Sequence, residues 1–292
     1  KIYNSEKIPL SITPDKFNKG INDYVPVTDR LEGVHELKDV IAFIASDHPS
    51  SKIQTVGGSD LNYMPTHNLK LTLDKESLLK SGTVSEKHLS EVPDSLTWRI
   101  SGNALYKNDL MLLDFFATNN WDRPIYFANP SSVRKVLGLD EYMHLEGFVY
   151  RLRPYKAEAY LSNMGGVDPE KSFDLLVNKA KYGNLEKDEV SVDRESYRNA
   201  GIPKNNLLRV GEAFLDRADL LAYEGTQANK DQINDYTSKA VKALDTYIQY
   251  FPNHKIHWDM YMLPYAEGYL RAGAQDKGIG VVTALYDYYL SD

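Results

Sequence analysis

The segments Ala218-Asp219-Leu220-Leu221-Ala222-Tyr223-Glu224-Gly225 and Ala266-Glu267-Gly268-Tyr269-Leu270-Arg271-Ala272-Gly273 decide the fold of the C-terminal part of this chain. Each begins with a small residue, places a large apolar residue three positions later and ends with Gly. Glycine commonly follows a helix because it adopts the left-handed conformation without strain. The sequence therefore predicts two related helices, ending near Gly225 and Gly273.

A further helix is predicted after each of these segments. Ala240, Leu244 and Tyr247 share one face in the first pair, which Pro252 closes, and Gly278, Val282 and Leu285 take the equivalent positions in the second pair. The arrangement resembles the tetratricopeptide repeat, a pair of antiparallel helices of roughly 34 residues. The longer spacing here fits an insertion at 226–231 and a lengthened connection at 253–257. Because a free array needs roughly three repeats, these two are expected to lean on the N-terminal region.

The N-terminal region has the mixed pattern of an α+β or α/β domain with a small sheet. After an extended lead-in of about 30 residues, the predicted elements are a helix at 34–45, a strand at 69–73 with Asp74 capping the helix that follows, a strand at 96–100, a helix at 108–118, and strands at 125–128 and 147–152. The strand, helix, strand order at 96–128 predicts a parallel crossover.

The chain therefore divides into three predicted regions. They are an α/β domain with its lead-in at 1–155, a connector with one helix at 156–203, and tetratricopeptide-like helix pairs at 204–292. The connector helix is expected at 169–181, because Pro169 suits its first turn and Gly183 lies past its end. Tyrosines of the last helices are expected mainly in the core: Tyr247, Tyr250, Tyr261, Tyr265, Tyr269, Tyr286, Tyr288 and Tyr289.

Composition excludes several classes of function. The 292 residues are 42% hydrophobic and 26% charged, as in an ordinary folded protein, and the net charge is −7. Nucleic acid is not expected as a partner, because binding to phosphates needs clustered positive charge. There is no cysteine, and no apolar stretch approaches the roughly 20 residues that span a bilayer. The chain begins at Lys1 without an apolar leader, so it is interpreted as a processed or excised fragment.

Two motifs resemble a known family. They are Leu105-Tyr106-Lys107-Asn108-Asp109-Leu110-Met111 and Asn119-Asn120-Trp121-Asp122-Arg123-Pro124-Ile125-Tyr126-Phe127, supported by Thr13-Pro14-Asp15-Lys16, Tyr63-Met64-Pro65-Thr66 and Met262-Leu263-Pro264. The family consists of bacterial multi-pass membrane proteins of unknown function, common in Bacteroidetes and similar to protein O-mannosyltransferases of the GT-C superfamily. The resemblance implies that this chain is the extracytoplasmic C-terminal region, on the periplasmic side of the inner membrane. The resemblance also implies that a transmembrane half, expected outside this sequence, tethers it there. The family's catalytic acids are expected in that half, so none is assigned here.

The turn at 119–123 is the first candidate site. Two amides, an indole, a carboxylate and a guanidinium could grip sugar hydroxyls by hydrogen bonding and stacking. The favoured alternative is structural: Asn119 and Asn120 end the helix, Trp121 packs beneath it, and Asp122 or Arg123 braces the turn.

Other candidates have weaker patterns. His254 and His257 with Asp259 have a spacing that could serve a metal, although no fourth ligand is evident. Asp109 and Asp114, with Glu36 and Asp39, could supply a carboxylate pair, but capping or solvation explains each acid singly. Ser95 lies in a short pattern that resembles an O-glycosylation acceptor.

The groove of the helix pairs is the second candidate site. If Ala218 and Ala266 take the eighth position of each repeat, the groove-facing residues are Glu212, Leu215, Asp219, Ala222 and Tyr223 with Met260, Leu263, Glu267, Leu270 and Arg271. Acids outnumber bases, so the groove is expected to accept cationic or polyhydroxylated ligands. In the alternative, the N-terminal domain fills the groove.

The leading hypothesis is therefore a non-catalytic domain of a membrane glycosyltransferase-like protein that binds acceptor protein, glycan or a partner. The alternative is a carbohydrate-active hydrolase with its site in the α/β domain. No residue is assigned to catalysis, a cofactor or a metal. The candidate partner surface comprises Asn119, Asn120, Trp121, Asp122, Arg123, Glu212, Asp219, Tyr223, Glu267 and Arg271.

Overall fold

The computed structural model of the chain describes residues 10–129, 136, 138–161, 164–193, 200–225 and 229–290. They form two compact units, one of Lys1–Tyr142 with Leu152–Lys156 and one of Met143–Arg151 with Ala157–Asp292. Part of the insertion expected at 226–231 lies outside the described residues.

The first unit combines short strands with three helices of regular α geometry among its described residues. Its strands are β1 (Tyr24–Pro26), β2 (His35–Glu36), β3 (Lys52–Gln54), β4 (Asp60–Asn62), β5 (Asn68–Thr72), β6 (Ser95–Arg99), β7 (Ala104–Tyr106) and β8 (Ile125–Phe127), and its helices are α1 (Leu37–Ala45), α2 (Lys75–Lys80) and α3 (Lys107–Thr118). Asp74 caps α2, since its carboxylate accepts from the Glu76 backbone N–H at 3.0 Å. The predicted cap is confirmed.

The strand pairing of the first unit corrects one prediction. β5 lies between β2, to which it is parallel, and β6, to which it is antiparallel. The parallel crossover expected at 96–128 is therefore wrong, because β6 pairs with the earlier β5 in a sheet that does not include β8. Between β6 and α3 the chain turns at Gly102, which has a φ of 89°, and enters β7, which pairs with β1.

The start of the described chain is anchored by one buried carboxylate. Asp114, on α3, accepts hydrogen bonds from the Ser11 backbone N–H, the Ser11 hydroxyl and the Ile12 backbone N–H. Asp114 and Ile12 are both buried. A carboxylate in this position satisfies backbone donors that would otherwise be buried without a partner.

The second unit joins a small sheet to a set of helices. Its strands are β9 (Met143–Glu146), β10 (Val149–Leu152), β11 (Glu158–Leu161) and β12 (Gly165–Val167), and its helices are α4 (Pro169–Phe173), α5 (Gly201–Glu224), α6 (Lys230–Tyr250), α7 (Leu263–Arg271) and α8 (Gln275–Leu290). A turn of π-helix at Asp174–Lys179 extends α4, which the Asp168 side chain caps as Pro169 begins it. The strands lie in the order β11, β12, β9, β10.

Buried polar contacts attach α5 to this sheet. The guanidinium of Arg209 donates to the Tyr150 hydroxyl at 2.8 Å and to the carbonyl oxygens of Met164 and Gly165 at 3.0 and 2.6 Å. Burial lowers the pKa of Arg209, and the Tyr150 hydroxyl opposes that change. A buried cation held by three acceptors fixes the position of α5 on the strands.

Small residues let the helices approach closely. A Cβ added at Gly211 would lie 3.5 Å from the Ala240 carbonyl oxygen, and one at Gly278 would lie 3.0 Å from the Ala266 carbonyl oxygen. Ala218 and Ala266 are buried. Gly225 and Gly273 have φ values of 68° and 75°, which confirms the expected helix ends.

The fold class predicted from the sequence is confirmed: small sheets with helices come first, and the last 90 residues or so are all helical. Tyr247, Tyr265 and Tyr269 are buried as expected, whereas Tyr261, Tyr286, Tyr288 and Tyr289 are exposed, so the core prediction is wrong for those four. In the described part of the chain, no helix has the length and apolar character needed to cross a membrane.

Candidate functional site

An acidic surface lies where α5 and α7 run side by side. Arg271 of α7 donates from Nη2 to Asp216 Oδ1 at 2.9 Å and to Asp219 Oδ2 at 2.6 Å. Glu212 of α5 and Glu267 of α7 complete the set, which we call the acidic face: Glu212, Asp216, Asp219, Glu267 and Arg271. Four carboxylates thus share one guanidinium, and that guanidinium is already paired with two of them.

The surroundings of Glu212 disfavour the ionised form of its carboxyl group. Burial raises its pKa, and the nearby carboxylates of Asp216 and Glu267 add to that rise. Arg271 and Arg209 act in the opposite direction without cancelling it. A half-buried carboxylate with a raised pKa is one that a cation from outside the chain would stabilise.

The remaining groove residues differ in how accessible they are. Tyr223 is 91% exposed, and Leu263 and Leu270 are about half exposed. Leu215 is buried, so the expectation that it faces the groove is wrong. The sequence analysis missed Asp216, although it lies three residues before Asp219 and therefore on the same helix face. That spacing was the available signal.

The turn at 119–123 is built as a helix end. Asn120 and Trp121 have φ values of 46° and 62°, and the Asn119 side-chain amide donates to the Arg123 carbonyl oxygen at 2.8 Å. Trp121 is only 5% exposed and packs edge-on against Phe116. Its indole is therefore not available to stack on a sugar in this conformation. Binding through the exposed Asn120, Asp122 and Arg123 stays a prediction.

Two indole N–H groups beside this turn have no acceptor among the described residues. They belong to Trp98 and Trp121, which are both buried and both pack edge-on against Phe116, with ring centroids 5.7 and 5.8 Å away. The left-handed conformation of Trp121 costs on the order of 1 kcal/mol, and burial of its large ring offsets that cost.

Three of the four acids proposed for a carboxylate pair have structural partners in the fold. Asp109 accepts from the Tyr106 backbone N–H at 3.1 Å at the start of α3, and Asp114 anchors residues 11 and 12. Glu36 accepts from the Thr72 backbone N–H at 2.9 Å and from the Thr72 hydroxyl at 3.0 Å. These contacts give each carboxylate a role in the fold.

The two histidines proposed for a metal have different neighbours. His254 Nε2 lies 3.3 Å from Asp188 Oδ1, whereas the His257 ring stacks on Tyr288. Within the ranges described above, no group of three or more His, Asp or Glu side chains is arranged to hold a metal ion. Ser95 begins β6 opposite Thr72, and its glycosylation stays a prediction.

The described residues form an α+β region followed by packed helices, and the acidic face lies on those helices. The family model described as TMEM260-associated domain 2 matches residues 1–171. Because the match covers more than half of the chain, the chain belongs to that family, and this is consistent with a domain of a TMEM260-like membrane protein. Comparison with curated proteins and with solved structures gives no match.

The two candidate sites differ in their position relative to the residues that the family model matches. The turn at 119–123 lies inside the matched residues, whereas the acidic face lies outside them.

Proposed function

We propose that this chain is a non-catalytic, extracytoplasmic binding domain of a membrane glycosyltransferase-like protein. The acidic face holds a cationic or polyhydroxylated partner, such as a basic stretch of acceptor protein or a glycan. The family match and the resemblance to multi-pass proteins related to O-mannosyltransferases support the parent protein. The tetratricopeptide-like pairing of α5 with α6 and α7 with α8 supports the binding role, because such pairs present their first helices to ligands.

The observation that carries the proposal is the imbalance of charge on the acidic face. Arg271 is paired with Asp216 and Asp219, and neither Glu212 nor Glu267 forms an ion pair with another described residue. Lys or Arg side chains of a partner would gain charge-assisted hydrogen bonds from these two carboxylates. A terminal carboxylate would be repelled by the same residues.

The alternative is a hydrolase, but the acids that it would use already form hydrogen bonds within the fold. Asp114 and Asp109 hold backbone N–H groups by hydrogen bonds, and a general acid or base needs a carboxyl group that can reach substrate. Hydrolysis of aryl glycosides by the purified chain, lost on substitution of Asp109, would favour the hydrolase.

The proposal is tested with fluorescein-labelled oligo-lysine and fluorescence anisotropy. The double variant Glu212→Gln, Glu267→Gln should bind at least about ten-fold more weakly than the unaltered chain. Glu224→Gln is the matched control, because Glu224 is an exposed acid at the end of α5 outside the acidic face. Equal affinity for all three proteins would contradict the proposal.

A further inference from the structure

A stripe of apolar side chains on α8 is exposed to solvent. Ile279, Val282, Tyr286 and Tyr289 are 58, 45, 63 and 54% exposed. Their spacing of three, four and three residues places them on one face of the helix. We call this set the α8 stripe. It lies on a different helix from the residues of the acidic face.

The same pattern occurs in α6 and the residue that follows it, where two of its four side chains are buried and the other two are half-buried. Val241, Leu244, Ile248 and Phe251 have the same spacing of three, four and three residues. Leu244 is 1% exposed and Phe251 is 3% exposed, whereas the corresponding Val282 and Tyr289 are open. The two faces thus correspond in sequence, but the face of α6 is at least half-buried throughout, whereas that of α8 is exposed.

The correspondence between α6 and α8 also holds on their inner faces. Ala240 of α6 approaches Gly211 of α5, and Gly278 of α8 approaches Ala266 of α7. Ala240 precedes Leu244 by four residues, as Gly278 precedes Val282. Each helix therefore packs on its own partner through a small residue at the same position of the repeat.

Helix α7 covers part of the apolar face of α6. A Cβ added at Gly268 of α7 would lie 3.0 Å from Leu244 Cδ1. The rings of Tyr265 and Tyr247 lie 5.2 Å apart, and the Tyr269 hydroxyl donates to Asp245 at 2.9 Å. This face of α6 therefore packs against a helix that has a small residue at the closest approach and aromatic rings on either side of it.

We infer that the α8 stripe docks an amphipathic helix of a partner protein, placed on α8 as α7 is placed on α6. The partner helix carries Gly or Ala opposite Val282 and an aromatic residue three positions earlier. Thr283 stands where α6 has Asp245, so a neutral hydroxyl replaces the carboxylate at this position. The contact is therefore mainly apolar, and the cationic partner proposed for the acidic face is not required.

Helix α7 of a second copy is not available as the partner helix. Within the described residues, the helix with such a face is α7, which already packs against both α6 and α8. A second copy has its α7 enclosed in the same way. A helix of a partner protein that carries the same small and aromatic residues is not enclosed in this way and can pack on α8.

The test uses the protein's own α7 as the probe. A fluorescein-labelled peptide of residues 259–274 is held helical by a hydrocarbon staple between positions 267 and 271, which are exposed in α7. We expect it to bind the intact chain, and the same peptide with Gly268→Leu to lose at least about ten-fold in affinity. Val282→Asp in the chain should cause a similar loss, because a charge would be buried in the contact.

Two variants serve as controls. Leu220→Asp places the same charge at an exposed apolar residue of α5, outside the stripe, and should bind the peptide as the unaltered chain does. The Glu212→Gln, Glu267→Gln variant should also bind it normally, so failure at the acidic face and failure at the α8 stripe are distinguishable.

Three results would overturn the inference. One is absence of binding, or binding that Val282→Asp leaves unchanged. Another is a dimer in sedimentation velocity that Val282→Asp dissociates, which would assign the stripe to a second copy. The third is binding of phosphatidylcholine and phosphatidylglycerol vesicles that the same variant abolishes, which would assign it to a membrane surface.

Discussion

Glu212 illustrates how a single residue links the fold to the proposed binding. Its pKa is raised in the folded chain, by burial first and by Asp216 and Glu267 in addition. As pH rises through the acidic range, the unfolded chain therefore loses this proton before the folded chain does. Ionisation of Glu212 thus lowers the stability of the fold at neutral pH.

The variant Glu212→Gln removes this titration. We expect it to have a higher free energy of unfolding than the unaltered chain at pH 7, with the difference disappearing near pH 4, where both states are protonated. Urea titrations at the two pH values measure the difference. A stability gain of equal size at pH 4 would show that lost packing or hydrogen bonding, and not ionisation, distinguishes the two proteins.

Asp114 shows a residue whose role the sequence could not reveal. Its partners, Ser11 and Ile12, lie about 100 residues earlier in the chain, so no local pattern connects them. We expect Asp114→Ala to destabilise the fold by about 3 kcal/mol, because the buried Ile12 N–H and the partly buried Ser11 N–H both lose their acceptor. The start of the chain should also become sensitive to protease. Asp109→Ala, which removes an exposed cap, should cost less, about 1 kcal/mol.

At the scale of secondary-structure elements, the sequence correctly predicted helix starts and ends that depend on neighbouring residues. Asp74 caps α2, Pro169 begins α4, and Gly225 ends α5, because each signal acts within one helical turn. The pairing of β6 with β5 could not be predicted in this way. Strand pairing depends on residues that are distant in sequence, and the order strand, helix, strand is also compatible with two separate sheets.

The close packing of α7 and α8 gives a prediction for an element. Ala266→Leu should destabilise the chain by about 1 to 3 kcal/mol, because the added atoms enter a contact that already limits Gly278 to a residue without a Cβ. Ala222→Leu is the matched control, since Ala222 is exposed on α5. Chemical denaturation measures both variants, and equal stabilities would argue against close approach at Ala266.

At the scale of the whole molecule, the two candidate sites differed in how far the sequence could predict them. Assigning Ala218 and Ala266 to the eighth position of each repeat predicted a groove containing Glu212, Asp219, Glu267 and Arg271, and the structure adds Asp216. The α8 stripe could not be recognised as exposed, because Val282 and Leu244 lie in the same pattern. Periodicity identifies an apolar face, but only the arrangement of the helices shows whether another helix covers it.

These sites should differ in how strongly added salt weakens their binding. Attraction between oligo-lysine and the acidic face is electrostatic, and the Debye length shortens from about 14 Å at 0.05 M salt to about 4 Å at 0.5 M. The affinity of the chain for oligo-lysine should therefore fall by at least about ten-fold across this range. Binding of the stapled α7 peptide buries apolar surface and should weaken little, and in sodium sulfate it should strengthen. Anisotropy titrations of both probes on one protein preparation provide the comparison. Parallel loss of both affinities would mean that the α8 stripe binds its probe through charge, contrary to the apolar contact inferred from α6 and α7.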